Sequence, residues 1–370
     1  MVGYKKQYDI IRVGSFPTME QHGRGRHNLE LSKVYTQHTL FITWKTSEIL
    51  VTEVPDLHFK KFKFYDNSVR NSNILIDRFN RVIRAVMLIS FSVKSIALSL
   101  LKSPKIIHIH SPMFLVIGIA LKTMRQGKTR LFITFHGEDY IHTNKSKLLK
   151  FLVKAFVDKS LFISWTQWAE CDFSDFKYWT PNGIDANQWT RPEGVIRKPK
   201  SVVSVAKFKP QKNFIGLIQS WQKVIKKYPD AHLTIVGEGE LENKIKYLIQ
   251  SLEIDHSVSI IPFQNQEELC KIYWQNEIFI SNSTWEGFAK VVLEALACNC
   301  KIAVTAVDSH KKVFKDWPYL IIPDNIDDTE QKLLSLLSAD YPWFDHDRLL
   351  KKYDSENLHS IYKEIIDETL

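Results

Sequence analysis

Cysteine is scarce in this sequence. The chain of 370 residues has four, Cys171, Cys270, Cys298 and Cys300, with neither C-x-x-C spacing nor the density of a disulfide scaffold. Reduced thiols in a cytoplasmic protein are therefore expected, and a zinc site is not. The opening MVGYKKQYDI lacks the basic, apolar, small-residue pattern of a leader, and the longest apolar runs, such as residues 113–121, are too short to span a bilayer. Neither a signal peptide nor a transmembrane segment is expected. No zinc-finger spacing, RNP-type aromatic motif or helix-turn-helix signature occurs, which ranks nucleic acid below a membrane as the partner of a basic surface. Acidic residues are sparse in one half only. Residues 1–190 hold 27 Lys and Arg against 15 Asp and Glu, a net of +12, whereas residues 191–370 hold 23 against 26, a net of −3. The first half is the one suited to an anionic surface or substrate.

What is present is an alternation. The length fits two domains rather than one core. Short apolar runs at residues 8–14, 35–44, 106–110 and 130–134, and again at 201–206, 232–236, 258–261, 278–280 and 302–305, are separated by helical patterns. Such alternation predicts α/β domains with parallel sheets and ligands at the carboxyl ends of the strands. The segment RPEGVIRKPK has two prolines and no periodicity, and reads as the linker between an N-terminal domain, 1–190, and a C-terminal domain, 191–340. A helical segment, 341–370, is expected to cross back to the first domain.

In the first half, the turn after the first strand contains Gly23 and Gly25 ahead of a helix near residue 27, an arrangement able to bring backbone N–H groups to an anion. Lysines alternate with aromatics in HFKKFKFY, as on an exposed sheet edge. His108 and His110 share one strand face; two ligands are too few for a metal, and they read as near-site or structural. His136 follows the strand at 130–134 in TFHGEDY, where its imidazole is aimed at the ligand crevice. Residues 144–158 form an amphipathic helical pattern, with Lys147, Lys150 and Lys154 on one face and Leu148, Phe151, Leu152 and Ala155 on another. The lysine face fits docking onto an anionic membrane.

In the second half, the strand at 201–206 exits into KFKPQK, which carries Lys207 and Lys212, and Asn213 is placed to cap the next helix. Gly237 lies in GEGE after the strand at 232–236. The stretch EIFISNSTWEGFAKVVLEALACNC reads as a buried strand, a polar turn and a helix opened by Gly287, with Glu286 at the turn and Glu294 eight residues on. On one helix the two carboxylates would be offset by about 12 Å and about 80°, so they would hold different parts of one extended ligand.

In this order, the glycine turn, TFHGED, PNGID at 181–185, SVAKFKPQKNF, LTIVGEGE and EGFAKVVLEALACN resemble the family 4 glycosyltransferases. The resemblance covers most of the chain and is clearest from residue 181 to 305. It implies a GT-B fold of two facing Rossmann-like domains with a cleft between them. Lys212 and Lys207 would meet the donor diphosphate, Glu286 the sugar hydroxyls and Glu294 the ribose. Gly23, Gly25, Gly237, Gly287, Phe288 and Ala289 would add backbone contacts to the donor, and His136 would approach the sugar from the other domain, so that Glu286, His136 and Lys212 are the catalytic set. The family implies retention of configuration, no cofactor and no metal, and Asp345-His346-Asp347 is taken as a coincidental D-x-D. Three departures stand out: Lys207 in place of arginine, Ala206 in place of glycine, and the loss of a Gly-Gly turn within 305–314. The expected activity is transfer from a nucleotide sugar, UDP-linked, to a lipid-linked saccharide of cell-envelope polysaccharide such as O-antigen, capsule or lipopolysaccharide, at the inner membrane face. A sugar-nucleotide epimerase and a non-catalytic basic membrane- or nucleic-acid-binding module are the alternatives.

Overall fold

The computed structural model describes residues 7–15, 24–44, 54–63, 74–288, 290–315, 317–338 and 346–370. The chain divides into two compact units, Met1–Pro181 with Leu358–Leu370, and Asn182–Asn357.

The first unit is built on a parallel seven-stranded sheet. Its strands are β1 Ile10–Val13, β2 Thr39–Thr43, β3 His58–Lys61, β4 Ile106–Ile109, β5 Arg130–Phe135, β6 Lys159–Phe162 and β7 Lys177–Trp179, in the order β3-β2-β1-β4-β5-β6-β7. The central strands are apolar along their length because both faces are covered. One face carries a core of Ile11, Val13, Ile107, Ile109, Leu131 and Ile133 packed against helices α2 Ile74–Lys102, α3 Leu115–Met124, α4 Glu138–Lys145 and α5 Lys147–Phe156. The other face, with Ile10, Ile106, Phe132 and Leu161, is closed by α1 Arg24–Ser32 and by Leu358, Tyr362, Ile365 and Ile366 of the last helix, α14 Ser355–Asp367. The Lys-rich β3 is an edge strand, with Lys60 and Lys61 exposed. A short helix, α6 Trp165–Glu170, completes the unit.

The second unit holds a parallel six-stranded sheet: β8 Ser201–Val205, β9 His232–Val236, β10 Val258–Ile261, β11 Ile278–Ser281, β12 Lys301–Thr305 and β13 Leu320–Ile321, in the order β10-β9-β8-β11-β12-β13. Its helices are α7 Phe214–Lys227, α8 Glu242–Ser251, α9 Gln266–Gln275, α10 Lys290–Ala297, α11 Asp308–Val313, α12 Ile326–Ser338 and α13 His346–Lys352. The order places β8 and β11 side by side at the centre, where the strand order reverses and their exit loops diverge to opposite sides.

Several local expectations are corrected. The division falls after Pro181, and RPEGVIRKPK is not a free linker: Arg197 donates to the Cys298 carbonyl at 2.6 Å and the Lys198 N–H to the Gln275 carbonyl at 2.9 Å. The helix expected over 144–158 is two, because the Ser146 hydroxyl accepts from the Leu149 N–H and starts α5 afresh. The inner face of α5 is formed by Leu149, Val153 and Phe156, which turns Leu148 and Phe151 outward. Against the expectation of no transmembrane segment, Val82–Lys102, within α2, is by length and composition long and apolar enough to cross a membrane. Its Phe91, Ser95 and Ser99 nevertheless lie buried.

Candidate active site

Four loops at the carboxyl ends of the second sheet are tied together by short polar contacts. After β8 the chain runs through Ala206–Lys209 into a single 3-10 turn, Pro210–Lys212, and Asn213 adopts a left-handed conformation at φ 47°. Its Oδ1 accepts from the Gly216 N–H at 3.1 Å, capping α7, and its Nδ2 donates to Asp324 at 3.0 Å. The β9 exit lies against this loop. A Cβ on Gly237, at φ 152°, would stand 2.0 Å from the Ala206 carbonyl oxygen, so only glycine fits. The Phe208 N–H donates to the Glu238 carbonyl at 2.8 Å and the Leu241 N–H to the Phe208 carbonyl at 3.2 Å. From the β11 exit, the Thr284 N–H donates to the Gln211 carbonyl at 2.8 Å, and Asn282 Nδ2 to the Asn213 carbonyl at 3.3 Å. Thr305, ending β12, donates its hydroxyl to the Ser283 carbonyl at 2.5 Å.

These contacts bring together two residues that stand 74 positions apart. Lys212 Nζ donates to Glu286 Oε1 at 2.5 Å, and the Ser283 hydroxyl donates to the same oxygen at 2.7 Å. The side chains are 18% and 10% exposed, so this is a largely desolvated ion pair. Burial pushes the Glu286 carboxyl up, but the Lys212 ammonium, the imidazole of His310 and the two hydrogen bonds together outweigh it, and the net shift is downward. Glu286 is therefore an anion at neutral pH.

His310, on α11, is the site residue the sequence did not reveal. Its Nδ1 faces the Thr305 carbonyl oxygen at 2.7 Å, so that nitrogen carries the proton. Its Nε2 is buried with no hydrogen-bond partner among the described residues. Burial, aided by Lys212, lowers the pKa against the opposing pull of Glu286 and the Thr305 carbonyl. The ring is neutral at neutral pH and offers Nε2 as an acceptor. The one signal in the sequence was negative, the missing Gly-Gly turn in TAVDSHKKVF.

The remaining expected residues fall as follows. Helix α10 begins at Lys290, so Gly287 does not open it; Gly287 and Phe288 are loop residues, and the Phe288 ring packs 5.3 Å from that of Tyr353. Glu286 and Glu294 thus do not share a helix, and the offset calculated for one continuous helix does not apply. A glycine at the start opposes helix formation, and the Phe288 anchor holds the segment out of it. Ala289 lies outside the described residues. Glu294 is buried within α10, with Lys290 Nζ at 3.9 Å. Lys207 is exposed and makes no side-chain hydrogen bond or ion pair among the described residues.

In the first unit, Gly25 lies in the first turn of α1, not in a loop ahead of a helix near residue 27. The first-turn N–H groups lack intrahelical acceptors in any case, which lets the helix start this early. Gly23 lies outside the described residues. His136 follows β5, edge-on to His27 with ring centroids 5.4 Å apart and 6.0 Å from His110. His108 is a structural residue, hydrogen-bonded to the Tyr362 hydroxyl and to Thr134 Oγ1, each at 2.8 Å. Burial holds His108 and His110 well below the usual histidine pKa. The lysines of α5 are not equivalent, since Lys150 pairs with Asp172 at 2.8 Å while Lys147 and Lys154 are exposed. Asp345 lies outside the described residues. Among the described residues no three His, Cys, Asp or Glu side chains converge as a metal site.

Chemically, the second unit presents a cation and a carboxylate at adjoining strand exits, beside an exposed second cation. Such a set can meet a diphosphate with its lysines and a polyhydroxyl group with its carboxylate. The profile of the family described as Glycosyl transferases group 1 matches residues 185–354, which contain this whole set. An uncharacterized glycosyltransferase of Haemophilus influenzae is 37% identical over 120 residues, 30% of this chain and 33% of that protein. A Campylobacter jejuni N-acetylgalactosaminyltransferase, named for an acceptor on diphospho-undecaprenol, is 30% identical over 151 residues, 40% of each chain. The chain thus spans well under two thirds of the length of these relatives. Among solved structures, Anabaena HepE in complex with UDP and glucose superposes with a TM-score of 0.73 at 12% identity, covering 98% of this chain and 100% of that one. A glycosyltransferase from Rickettsia africae gives 0.70 at 17%, covering 98% and 99%. Residues 185–354 thus match the profile of the group 1 glycosyl transferases, and the chain as a whole has the two-domain GT-B fold.

Proposed function

We propose that this chain is a retaining glycosyltransferase of the family 4 type that moves a sugar from UDP to a lipid-linked saccharide during assembly of an envelope polysaccharide, O-antigen, capsule or lipopolysaccharide. The observation that carries the reading is the desolvated Lys212–Glu286 pair at the switch point of the second sheet. In the free protein each group satisfies the other. A donor separates their duties: its diphosphate takes Lys212, supplemented by Lys207, and its sugar hydroxyls take Glu286. As the glycosyl bond breaks, charge grows on the diphosphate, where the lysines and the backbone around Gly237 and Gly287 stabilise it. Electron deficiency at the sugar is offset by the Glu286 carboxylate. Glu294 takes the ribose, and His136 serves the acceptor-side chemistry of the first unit. No metal or cofactor is needed when the phosphate charge is met by lysines.

Support for a lipid-linked acceptor comes from the Campylobacter relative's name and from that of an Escherichia coli relative, a UDP-Gal:alpha-D-GlcNAc-diphosphoundecaprenol alpha-1,3-galactosyltransferase, 24% identical over 181 residues. Such an acceptor places the enzyme at the cytoplasmic face of the membrane, with the exposed Lys147 and Lys154 toward anionic lipid. The test is a panel of nucleotide sugars screened by thermal shift, followed by transfer to a diphospho-lipid saccharide and NMR of the new anomeric centre. Stabilisation by a UDP-sugar and an axial product are expected. An inverted product refutes retention; epimers formed without acceptor favour the epimerase reading.

A further inference from the structure

The outer surface of the helical layer in the first unit is apolar where a soluble surface is usually charged. Val82, Val86, Ile89, Val93 and Leu101 are between 59% and 69% exposed on α2. The first four are spaced 4, 3 and 4 apart, which places them on one stripe of the helix running about 16 Å along its axis, with Leu101 about 12 Å further on and about 80° round from Val93. The opposite side of α2, with Phe91, Ser95 and Ser99, is buried. Helices α3 and α5 pack into the same core as α2, so they belong to the same layer. They add further exposed apolar groups, Val116 and Met124 on α3 and Leu148 and Phe151 on α5. Of the 17 large apolar side chains exposed among the described residues, 11 lie between positions 82 and 151. Clustering of this kind marks a docking surface rather than the ordinary scatter.

Charge selects the occupant. Between Asp77 and Glu138 the sequence has ten Lys and Arg and no acidic residue. Lys94 is exposed beside the α2 stripe, and Lys105, just beyond its end, is exposed and paired with Asp9 at 3.2 Å. A second copy of this surface would bring like charges together, and the burial of Phe91, Ser95 and Ser99 on the inner face of α2 speaks against a spanning role. We propose that the α2–α3–α5 layer is the surface by which this chain docks onto an anionic lipid bilayer, with the α2 stripe lying flat in the interface and the lysines in the headgroups. This rests on the membrane-acceptor reading above and moves the principal contact from the α5 lysines to the apolar stripe of α2.

The test uses sedimentation with phosphatidylglycerol-containing and pure phosphatidylcholine vesicles. The full chain is expected to partition onto the anionic vesicles and to be released by salt. Ile89→Glu with Val93→Glu should lower the partition coefficient by roughly tenfold or more, since it removes two inserted side chains and adds two repelled charges. A second measurement is independent of how that variant folds. The four native cysteines are buried, so Ile89→Cys and Tyr247→Cys each accept an environment-sensitive dye at one exposed place. The dye at position 89 should brighten and shift to the blue on anionic vesicles, and the dye at position 247, in the second unit, should not. Unchanged partitioning of a folded double variant, a silent dye at position 89, absence of wild-type binding, or a dimer that the double variant dissolves would each overturn the proposal. Hydrolysis of a UDP-sugar in solution is read in parallel: its absence with vesicle binding intact sinks the catalytic reading and leaves this surface standing.

Discussion

Glu286→Gln separates a structural role from a catalytic one. The substitution keeps the side chain's shape and the hydrogen bond from Ser283 but removes the charge that Lys212 faces at 2.5 Å. Lys212, 18% exposed, is left as a poorly compensated cation. Breaking a buried pair from one side costs about 3–5 kcal/mol, and the partial exposure here argues for the lower end, about 3 kcal/mol. The double variant Lys212→Met, Glu286→Gln removes the stranded charge and should cost clearly less than the two single changes added. Ligand binding then reads the mechanism. If the donor diphosphate takes Lys212 from Glu286, UDP alone should bind Glu286→Gln no more weakly than wild type and up to roughly tenfold more tightly, since no pair has to be opened. Transfer from the UDP-sugar should fall by at least about 100-fold, because the sugar has lost its carboxylate. Calorimetry with UDP and a transfer assay, with circular dichroism to check folding, measure the three quantities. Loss of UDP affinity in Glu286→Gln comparable to that in Lys212→Met would show that the pair acts as one structural unit, and the exchange argument would fail.

Lys207→Ala provides the contrast: this exposed lysine has no side-chain hydrogen bond or ion pair among the described residues, so thermal stability should move by less than about 0.5 kcal/mol while UDP affinity drops. Equal affinity would remove Lys207 from the site. Gly237→Ala should destabilise the second unit by several kcal/mol and weaken donor binding, because its Cβ would sit 2.0 Å from the Ala206 carbonyl oxygen; chemical denaturation monitored by tryptophan fluorescence checks it. Acid should weaken the fold early. His108, His110 and His310 have pKa values lowered by burial, so in the folded chain they stay neutral while the unfolded chain takes up protons below about pH 6.5. Their contribution is fully present above that pH and is lost as pH falls toward the folded values, at up to about 1.4 kcal/mol per pH unit for each histidine. Urea melts at about pH 7 and about pH 5 should differ accordingly, and a flat profile would show that these rings are solvated.

The sheets were legible because parallel strands buried on both faces write themselves as unbroken apolar runs, such as IIHI in β4 and KIAVT in β12. The strands that escaped are of a different kind. KSLF in β6 opens on Lys and Ser and holds only two apolar residues, KYW in β7 is three residues long and half-buried at a sheet edge, and LI in β13 is shorter still, so none has a run to read. On α5 the helix was visible but its inward face was not, because apolar residues occur almost all the way round it. The sequence placed Lys212 in one loop and Glu286 in another; that they pair could not be read from either, since it depends on Thr284 and Asn282 hydrogen-bonding the backbone of the Lys212 loop. His310 was illegible for a further reason: a single histidine in a short helix has no pattern, and only its Thr305 contact gives it a defined tautomer.

The closed ion pair also bears on how donor binding is controlled. A lone buried lysine would be costly to keep charged, and a lone buried glutamate would take up a proton; beside Lys212 the Glu286 carboxyl stays ionised, as its depressed pKa indicates. The free site is therefore charged yet internally satisfied, and a ligand gains only the difference between its own contacts and those it replaces. Free phosphate could replace one partner and leave the other stranded, whereas a nucleotide sugar can satisfy both, with phosphate at Lys212 and hydroxyls at Glu286. On this argument discrimination against inorganic phosphate and pyrophosphate comes from the pair itself. Inhibition by pyrophosphate should then strengthen in Glu286→Gln, where the competing anion is gone, and stay weak in the wild type. Equal inhibition of the two proteins would mean that the pair is not opened when a ligand binds.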